Sequence, residues 1–309
     1  MPDVVIAEFM DEAAVSSLAA DFDVEYDPTL VDDIPRLQSQ LASARALIVR
    51  NRTQVDGELL AAAPDLTVVG RLGVGLDNID LDACAVRGIE VFTADGANAD
   101  SVAEYVIGAI FALARPALLT SSRVVAGEWP RQDSVGSELA GRTLGLIGLG
   151  AIARLVAGKA AALGMRITAH DPVLSPDDPA WELADSLDLG ALLSQSDVVS
   201  LHVPLLDTTR NLIDGAAIAT MKPTALLINA SRGGTVDEAA IIDALTAGRL
   251  GGAALDVFAE EPVGAEQGAR FAAVPNLILT PHIAGLTDES QQRVGQMTAD
   301  SVRRVLSRS

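Results

Sequence analysis

The sequence of 309 residues contains little cysteine, little basic charge and no long apolar run. Its single cysteine, Cys84, excludes an internal disulfide and favours a reducing compartment. Lysine and arginine together number 22 against 42 aspartates and glutamates, which gives a formal net charge of −20. We therefore expect no nucleic-acid partner and no anionic membrane partner, because contacts to phosphate groups need a basic surface.

The shortage of long apolar runs bears on location. The most apolar stretch, residues 102–113, is shorter than a membrane-spanning helix and is followed by Arg115 and Pro116. An apolar strand is predicted at Val4-Val5-Ile6, without a signal-peptide pattern before it. We therefore expect a cytoplasmic protein.

What the sequence does contain is a regular alternation of apolar runs and helical patterns, in a chain long enough for two domains. This alternation predicts an α/β fold with mostly parallel sheets. The strands are predicted in two groups, the first at Val4–Ala7, Phe22–Glu25, Ala46–Val49, Thr67–Gly70 and Ile89–Phe92, and the second at Thr143–Ile147, Arg166–His170, Val198–His202, Ala225–Asn229, Ala253–Val257 and Leu277–Thr280.

A glycine-rich turn follows the first strand of the second group. Gly148 allows the chain to turn tightly, and Gly150 has no side chain to keep the backbone away from a pyrophosphate. The helix that follows offers free N–H groups to phosphates. Ala153 occupies the third position of the motif, where only close packing of helix on strand is required. The pattern predicts a dinucleotide-binding unit.

An acidic residue strengthens this interpretation. Asp171 ends the second strand of the unit, about 20 residues after the turn, where a carboxylate can accept hydrogen bonds from both ribose hydroxyls. It would repel a 2′-phosphate, and the following Pro172 and Val173 supply no cation, so NAD is favoured over NADP. The alternative is a tight turn with a solvated aspartate at a strand end.

The position of the turn also predicts the domain organisation. Because the nucleotide unit begins well after residue 100, a separate α/β domain must precede it, and a long helix with a capping box at Ser101 and Glu104 is predicted after the junction. The segment Asp288–Arg304 is helical by its period and is expected to pack on the first domain. We predict a doubly wound Rossmann NAD-binding domain over residues 98–286, inserted in a doubly wound, flavodoxin-like substrate domain of residues 1–97 and 287–309.

Polar residues follow three neighbouring strands of the nucleotide unit. Arg232 follows the fourth strand, Glu260 and Glu261 follow the fifth, and His282 follows the sixth. Open α/β sheets bind ligands beyond the carboxyl ends of their strands. An arginine can bind a carboxylate with two hydrogen bonds, a histidine can exchange a proton near neutral pH, and a glutamate can stabilise the imidazolium. These groups suffice to reduce a keto acid with a nicotinamide.

Each of these residues also has a structural interpretation: a surface ion pair for the arginine, a solvated loop for the acids, and a satisfied strand-end position for the histidine. We adopt the structural interpretation for the two other histidines, His170 and His202. We do not adopt the structural interpretation for the arginine, the acids and His282 taken together, because they all follow strands of one nucleotide-binding sheet.

These segments resemble the D-isomer-specific 2-hydroxyacid dehydrogenase family, and most of all its phosphoglycerate dehydrogenase branch. The resemblance covers nearly the whole chain and includes residues 70–80, the glycine-rich turn, His202-Val203-Pro204-Leu205, the segments around Arg232 and Asp256, and Pro281-His282. It implies an NAD-dependent oxidoreductase that transfers a hydride between nicotinamide and C2 of a small anionic D-2-hydroxy acid or 2-keto acid. It also implies a homodimer, formed through the long helix.

The resemblance implies a role for each matching residue. Arg232 would bind the carboxylate and carbonyl of the substrate, His282 would be the acid/base, and Glu261 would pair with His282. Asp256 would hold the nicotinamide carboxamide. No metal is expected, and the cofactor-binding set would comprise Gly148, Gly150, Ala151, Ile152, Asp171, Val203, Ala230, Ser231, Arg232, Asp256, His282 and Gly285.

The expected substrate set extends into the first domain. The backbone of Gly73, Val74 and Gly75 would receive the substrate carboxylate, beside Arg232 and His282. Two further arginines, Arg50 and Arg71, follow predicted strands and resemble those that meet the distal phosphate in phosphoglycerate dehydrogenases. We therefore expect a second anion on the substrate, as in 3-phosphoglycerate or sulfolactate, with hydroxypyruvate as another candidate. Residues 49–55 and 282–285 also look like those of sulfolactate dehydrogenases.

Some positions depart from the family pattern, and other functions remain open. Ala153, Ala151 and Leu206 replace residues that are commonly glycine, a larger polar residue and threonine. The main alternative function is a non-catalytic NAD(H)-sensing regulator of the same fold. Formate dehydrogenation is disfavoured, because Glu261 stands where formate enzymes carry an amide.

Overall fold

The computed structural model describes residues 2–308, which form two compact units. Unit 1 joins the residues up to Asn98 to those from Leu286 onward, and unit 2 comprises Ala99–Gly285. Each unit is built on one parallel sheet that is packed against helices, which confirms the predicted α/β fold class.

Unit 1 contains five strands and the first four α-helices. The strands are β1 (Val4–Ile6), β2 (Val24–Tyr26), β3 (Ala46–Val49), β4 (Val68–Arg71) and β5 (Glu90–Thr93). The helices are α1 (Glu12–Ala19), α2 (Ile34–Leu41), α3 (Gly57–Ala61) and α4 (Leu81–Val86). All strand pairs are parallel, and the order β2-β1-β3-β4-β5 is the flavodoxin-like order.

Both faces of this sheet are covered. Along β1, Val5 packs in one core while Val4 and Ile6 pack in the other, as the alternation of side chains along a strand requires. A C-terminal helix, Asp288–Leu306, covers the second face with Val302 and neighbouring apolar residues. The central strands are therefore buried on both sides and consist largely of valine, isoleucine and leucine.

The C-terminal helix lies very close to the sheet. A capping box defines its start, since the Thr287 hydroxyl accepts a hydrogen bond from the Ser290 N–H and the Ser290 hydroxyl accepts one from the Thr287 N–H. Gly70 on β4 permits the close approach, because a Cβ at this position would lie 2.7 Å from Cγ2 of Thr298. The short contact explains why a strand residue here carries no side chain.

Unit 2 contains the strands and helices between Ala99 and Gly285. The strands are β6 (Thr143–Ile147), β7 (Arg166–His170), β8 (Asp185–Ser186), β9 (Val198–Leu201), β10 (Leu226–Asn229), β11 (Gly252–Leu255) and β12 (Leu277–Leu279). The helices are α5 (Ala99–Ala114), α6 (Ser121–Val125), α7 (Ala151–Ala162), α8 (Leu189–Gln195), α9 (Gly215–Thr220), α10 (Glu238–Thr246) and α11 (Ala265–Ala269).

The sheet of unit 2 has the Rossmann arrangement. Its order is β12-β11-β10-β9-β6-β7-β8, with every pair parallel, and the direction of winding reverses between β6 and β9. The glycine-rich turn after β6 therefore lies at the switch point, where such sheets bind dinucleotides. The sequence predicted six of these strands and missed β8, because its two residues are exposed and carry no apolar signal.

The start of α5 differs from the prediction. The helix begins at Ala99, so Ser101 lies within its first turn and is buried, and it does not serve as the capping residue. Asp100 provides the acidic residue that suits the positive end of the helix. Among residues 2–308, no helix combines the length and the apolar character needed to cross a bilayer.

Candidate active site

In unit 2, His282 and Glu261 form a hydrogen-bonded pair. Nδ1 of His282 lies 2.7 Å from Oε2 of Glu261, and Oε1 of Glu261 accepts a hydrogen bond from the Phe258 N–H at 2.9 Å. Since an ionised carboxylate only accepts hydrogen bonds, Nδ1 carries the proton in this pair. The His282 side chain is 38% exposed, so Nε2 is the nitrogen left to exchange a proton with a ligand.

The environment keeps Glu261 ionised. Burial alone would raise its pKa, but the hydrogen bonds from His282 and Phe258 and the charges of His282 and Arg232 lower the pKa below its ordinary value. A carboxylate that stays charged in this position stabilises an imidazolium on His282. Nη1 of Arg232 donates a hydrogen bond to the Ser231 carbonyl at 2.7 Å.

The Arg232 segment is built by side chains at the end of β10. Asn229 is buried, its Oδ1 accepts hydrogen bonds from the N–H and hydroxyl of Ser231, and its Nδ2 donates to the Arg232 carbonyl at 3.0 Å. A Cβ on Gly233 would lie 1.7 Å from the Phe258 carbonyl oxygen, so this turn lies directly against the segment that leads to Glu261. Close backbone packing thus brings together the two segments that carry the predicted arginine and glutamate.

The backbone of His282 has an unusual conformation. Its φ is 54°, in the left-handed region, which costs a non-glycine residue about 1–3 kcal/mol. The His282 N–H donates to the Asp256 carbonyl at 2.7 Å and to the Thr280 carbonyl at 3.0 Å. These contacts hold a strained residue at the end of β12, and strain of this kind is typical of functional positions.

Asp256 organises the loop that carries His282. Its carboxylate is 1% exposed and accepts hydrogen bonds from the Ile283 N–H at 2.8 Å, the Ala284 N–H at 2.8 Å and the Thr280 hydroxyl at 2.6 Å. A carboxylate can accept about four hydrogen bonds. Oδ2 therefore keeps capacity for one more donor, which fits the N–H₂ of a carboxamide.

The glycine-rich turn has the geometry that a dinucleotide needs. Gly148 has a φ of 88°, and a Cβ there would meet the His202 carbonyl oxygen at 2.5 Å. A Cβ on Gly150 would meet nothing within 4 Å, so the N-terminus of α7 is open in front of it. Asp171 accepts hydrogen bonds from the N–H groups of Leu149 at 2.8 Å and Val173 at 3.0 Å, which ties it to the turn. The turn therefore fits a pyrophosphate, and Asp171 lies where a ribose would follow.

The other expected cofactor residues lie at the same edge of the sheet. Val203 follows β9, Ala230 and Ser231 follow β10, and Gly285 ends the His282 loop; all four are partly buried. Ala151 and Ile152 form the first turn of α7. Within residues 2–308, no cluster of three or more histidine, cysteine, aspartate or glutamate side chains is arranged to hold a metal.

In unit 1, Arg50 is a partly buried cation on an organised loop. Its Nη1 lies 3.4 Å from Oε1 of Gln291, its guanidinium lies 5.6 Å from the ring centroid of Phe9, and its Nε is buried without a partner in the described structure. Burial lowers the pKa of Arg50, although the charge of Glu8 acts in the opposite direction. Such a side chain is suited to an anionic ligand, because an anion would restore the hydrogen bonding lost on burial.

The Arg50 loop is held by a buried acid that the sequence did not single out. Glu8 is 5% exposed and accepts hydrogen bonds from the N–H groups of Arg50 at 2.8 Å, Thr53 at 3.0 Å and Arg52 at 3.3 Å. The Arg52 side chain is exposed and pairs with Asp32. The only local signal for Glu8 was an acidic residue just after a fully apolar strand.

Arg71 is directed at its own loop. It is 9% exposed, and its Nε and Nη1 donate to the carbonyls of Gly75 and Leu72, each at 2.8 Å. Gly73 has a φ of 151°, and a Cβ there would lie 2.1 Å from Nη1 of Arg71. Arg71 thus shapes the loop of Gly73, Val74 and Gly75 that the sequence assigned to the substrate carboxylate.

The chain is similar to one known family and to enzymes of that family. Residues 107–284 match the family described as D-isomer specific 2-hydroxyacid dehydrogenase, NAD binding domain. An (S)-sulfolactate dehydrogenase of Chromohalobacter salexigens is 57% identical over 307 residues, which cover 99% of both chains. The D-3-phosphoglycerate dehydrogenase of Mycobacterium bovis is 40% identical over 308 residues, which cover 99% of this chain but only 57% of that enzyme.

Solved structures give the same result. A D-lactate dehydrogenase from Aquifex aeolicus, in complex with NAD and lactic acid, superposes with a TM-score of 0.85 at 29% identity. The match covers 98% of this chain and 95% of that one. These comparisons confirm the family, the NAD cofactor and the dehydrogenase class that the sequence indicated.

Proposed function

Because the chain belongs to the D-isomer-specific 2-hydroxyacid dehydrogenase family, we propose that it interconverts (S)-sulfolactate and sulfopyruvate with NAD. The observation that carries the choice of substrate is the identity of 57% along 99% of both chains with an enzyme named for this reaction. Unit 2 would be the NAD-binding domain and unit 1 the substrate domain. The protein is accordingly an oxidoreductase that acts on a small anionic molecule.

The stereochemistry of this substrate suits a D-specific enzyme. In lactate the carboxylate outranks C3 in the priority rules, whereas in sulfolactate the sulfur on C3 reverses that ranking. The same arrangement in space is therefore called R in D-lactate and S in sulfolactate. Hydride transfer to one face of C2 consequently serves both (S)-sulfolactate and D-2-hydroxy acids.

The proposed chemistry uses three side chains of unit 2. NAD, when bound, would supply the hydride chemistry at C2 in both directions. His282 donates the proton on Nε2 to the carbonyl oxygen, while Glu261 holds Nδ1–H at 2.7 Å and stabilises the positive ring. Arg232 binds the substrate carboxylate and polarises the carbonyl group. In oxidation His282 takes the hydroxyl proton back.

The remaining expected residues bind the two ligands. Asp171 would accept the adenosine ribose hydroxyls, Gly148 and Gly150 would admit the pyrophosphate, and Asp256 would accept the carboxamide of the nicotinamide. Completing the cofactor set are Ala151, Ile152, Val203, Ala230, Ser231, Arg232, His282 and Gly285.

Unit 1 would supply the groups that recognise the two anions of the substrate. The N–H groups of Gly73, Val74 and Gly75 would receive the carboxylate, on a loop that Arg71 holds. Arg50 would receive the sulfonate through its guanidinium, a partly buried cation on the loop that Glu8 holds. A charge-assisted hydrogen bond of this kind contributes about 1.5–3 kcal/mol.

A panel of keto acids with NADH tests the proposal. Sulfopyruvate and hydroxypyruvate form a matched pair, because they differ only in a sulfonate or a hydroxyl on C3. We expect kcat/KM to be at least about tenfold higher for sulfopyruvate. A preference for 3-phosphohydroxypyruvate or hydroxypyruvate would contradict the choice of substrate, and no turnover with any keto acid would favour a regulatory NAD(H) sensor.

We also propose a homodimer, formed through the long helix α5 and the segment that follows it. Exposed apolar side chains accumulate there, at Leu118, Leu119, Val125, Trp129 and Val135, and Trp129 is 76% exposed. Exposed apolar patches mark protein interfaces. Light scattering should give about twice the chain mass of 32.0 kDa for the wild type and a smaller value for Trp129→Asp. A wild-type mass of one chain would contradict this assembly.

A cytoplasmic location completes the proposal. Cys84 is a buried free thiol in unit 1, which suits a reducing compartment. Fractionation of source cells should find the protein with cytoplasmic markers, and recovery with periplasmic or membrane markers would contradict the assignment.

A further inference from the structure

A hydrogen-bonded chain connects helix α5 to the His282 loop. The hydroxyl of Tyr105, a partly buried residue on α5, lies 2.6 Å from the hydroxyl of Thr280. The Thr280 hydroxyl in turn lies 2.6 Å from Oδ1 of Asp256. Nothing in the local sequence around Tyr105 marks it as part of a site, because its partner is 175 residues away.

The direction of this chain follows from its ends. Asp256 is a carboxylate that only accepts hydrogen bonds, so the single proton of the Thr280 hydroxyl must point toward it. Tyr105 must then donate to the oxygen of Thr280. Burial raises the pKa of Tyr105, and the charge of Asp256 adds to this while the bond to Thr280 opposes it. The phenol therefore stays protonated and able to donate at neutral pH.

The chain ends on the segment that carries the proton-transfer group. The Asp256 carboxylate accepts from the N–H groups of Ile283 and Ala284, and the Asp256 carbonyl accepts from the N–H of His282. These bonds hold His282 in its left-handed conformation. A small rotation of the Asp256 carboxylate would move both N–H groups that follow the imidazole.

We propose that Tyr105 is a positioning residue for the reaction. It acts through Thr280 and Asp256 to fix the orientation of the His282 imidazole. The inference rests on the proposed role of His282 as the acid/base. Tyr105 touches neither substrate nor cofactor in this scheme. Its removal should therefore lower the rate of the chemical step and leave the binding of the keto acid nearly unchanged.

The substitution Tyr105→Phe removes only the hydroxyl. We expect kcat for sulfopyruvate to fall about three- to tenfold and its KM to stay within about twofold, because one hydrogen bond in a positioning chain is lost. Tyr26→Phe is the matched control, since the Tyr26 hydroxyl is also partly buried and bonds to Met10 in unit 1. This control should lose thermal stability to a similar extent without losing kcat.

Thr280 supplies a second test that does not depend on Tyr105. Thr280→Ser keeps a hydroxyl and should keep kcat within about twofold of the wild type, whereas the isosteric Thr280→Val should lower it about tenfold or more. If Tyr105 acts through Thr280, adding Tyr105→Phe to Thr280→Val should change kcat no further. A purely structural contribution of Tyr105 would instead multiply with that of Thr280.

The outcomes separate this inference from the proposed function. Wild-type turnover together with normal kcat in Tyr105→Phe, or equal kcat in the serine and valine variants of Thr280, would overturn the inference alone. A double variant in which the two losses of kcat multiply would also overturn the inference alone. An absence of wild-type turnover with every keto acid would overturn the proposed function and this inference with it.

Discussion

Two buried acids, one in each unit, organise loops in a similar way. Glu8 follows β1 in unit 1, and Asp256 follows β11 in unit 2. Both carboxylates are at most 5% exposed, and both accept hydrogen bonds from backbone N–H groups of a neighbouring loop. In each case the loop carries a side chain of the candidate site, Arg50 in unit 1 and His282 in unit 2.

The two acids differ in what else they touch. Among residues 2–308, the hydrogen bonds that Glu8 accepts come from backbone N–H groups, and its negative charge lies near the guanidinium of Arg50. Asp256 also accepts from a hydroxyl that is linked to Tyr105 on another element, and its loop contains a strained histidine. The first arrangement presents a fixed charge for binding. The second fixes the direction of a proton-exchanging ring, so we expect it to govern the rate.

The largest effect should come from the proton-exchanging ring itself. His282→Ala removes the group that donates to the carbonyl oxygen, and general acid–base catalysis contributes about 10²- to 10⁴-fold to a rate. We expect kcat for sulfopyruvate to fall by about that factor, while NADH binding, measured by fluorescence titration, changes little. Turnover near the wild-type rate would remove His282 from the mechanism.

The next effect concerns the charge in unit 1. Arg50→Gln should lower kcat/KM for sulfopyruvate about 10- to 100-fold, because a charge-assisted hydrogen bond to the sulfonate is lost. Hydroxypyruvate lacks this anion and should lose far less. Arg52→Gln is the matched control, since Arg52 lies on the same loop but is exposed and paired with Asp32. Equal losses of kcat/KM with both keto acids would show that Arg50 does not recognise the sulfonate on C3.

Sequence patterns revealed the parts of the site that leave a local signal and missed those that depend on distant contacts. Buried strands, the turn at Gly148 and the polar residues after strand ends are local signals, so the fold and the pairing partner of His282 were accessible. Glu8 and Tyr105 act across 42 and 175 residues, and no local period records such contacts. Arg71 differs, because its guanidinium turns back to carbonyls of its own loop, and a sequence pattern does not record in which direction a side chain points.

A smaller effect should appear in stability at acid pH. Burial lowers the pKa of His202 from 6.5 to about 4. Because the folded-state pKa lies below the unfolded value, this neutral histidine costs nothing above about pH 6.5 and destabilises the fold progressively as the pH falls to about 4. The lowered pKa of Glu261 acts with the same sign at still lower pH.

Replacement of His202 measures how much this residue contributes to the loss of stability at acid pH. Between about pH 6.5 and pH 4, the Tm of His202→Gln should fall by roughly 5 °C less than the Tm of the wild type. The measurement is a series of thermal melts in buffers of equal ionic strength, with His170→Gln as the control at a second partly buried histidine of unit 2. Parallel curves of Tm against pH for the wild type and His202→Gln would contradict the assignment of this pH dependence to His202.

The difference between the two acids is tested most directly by steady-state kinetics with sulfopyruvate on Glu8→Gln and Asp256→Asn side by side. Glu8→Gln should raise KM about tenfold with kcat within about twofold of the wild type, because it loosens a binding loop. Asp256→Asn should lower kcat about tenfold or more, because two N–H groups lose a charged acceptor. A loss of kcat in Glu8→Gln with unchanged kcat in Asp256→Asn would contradict the account.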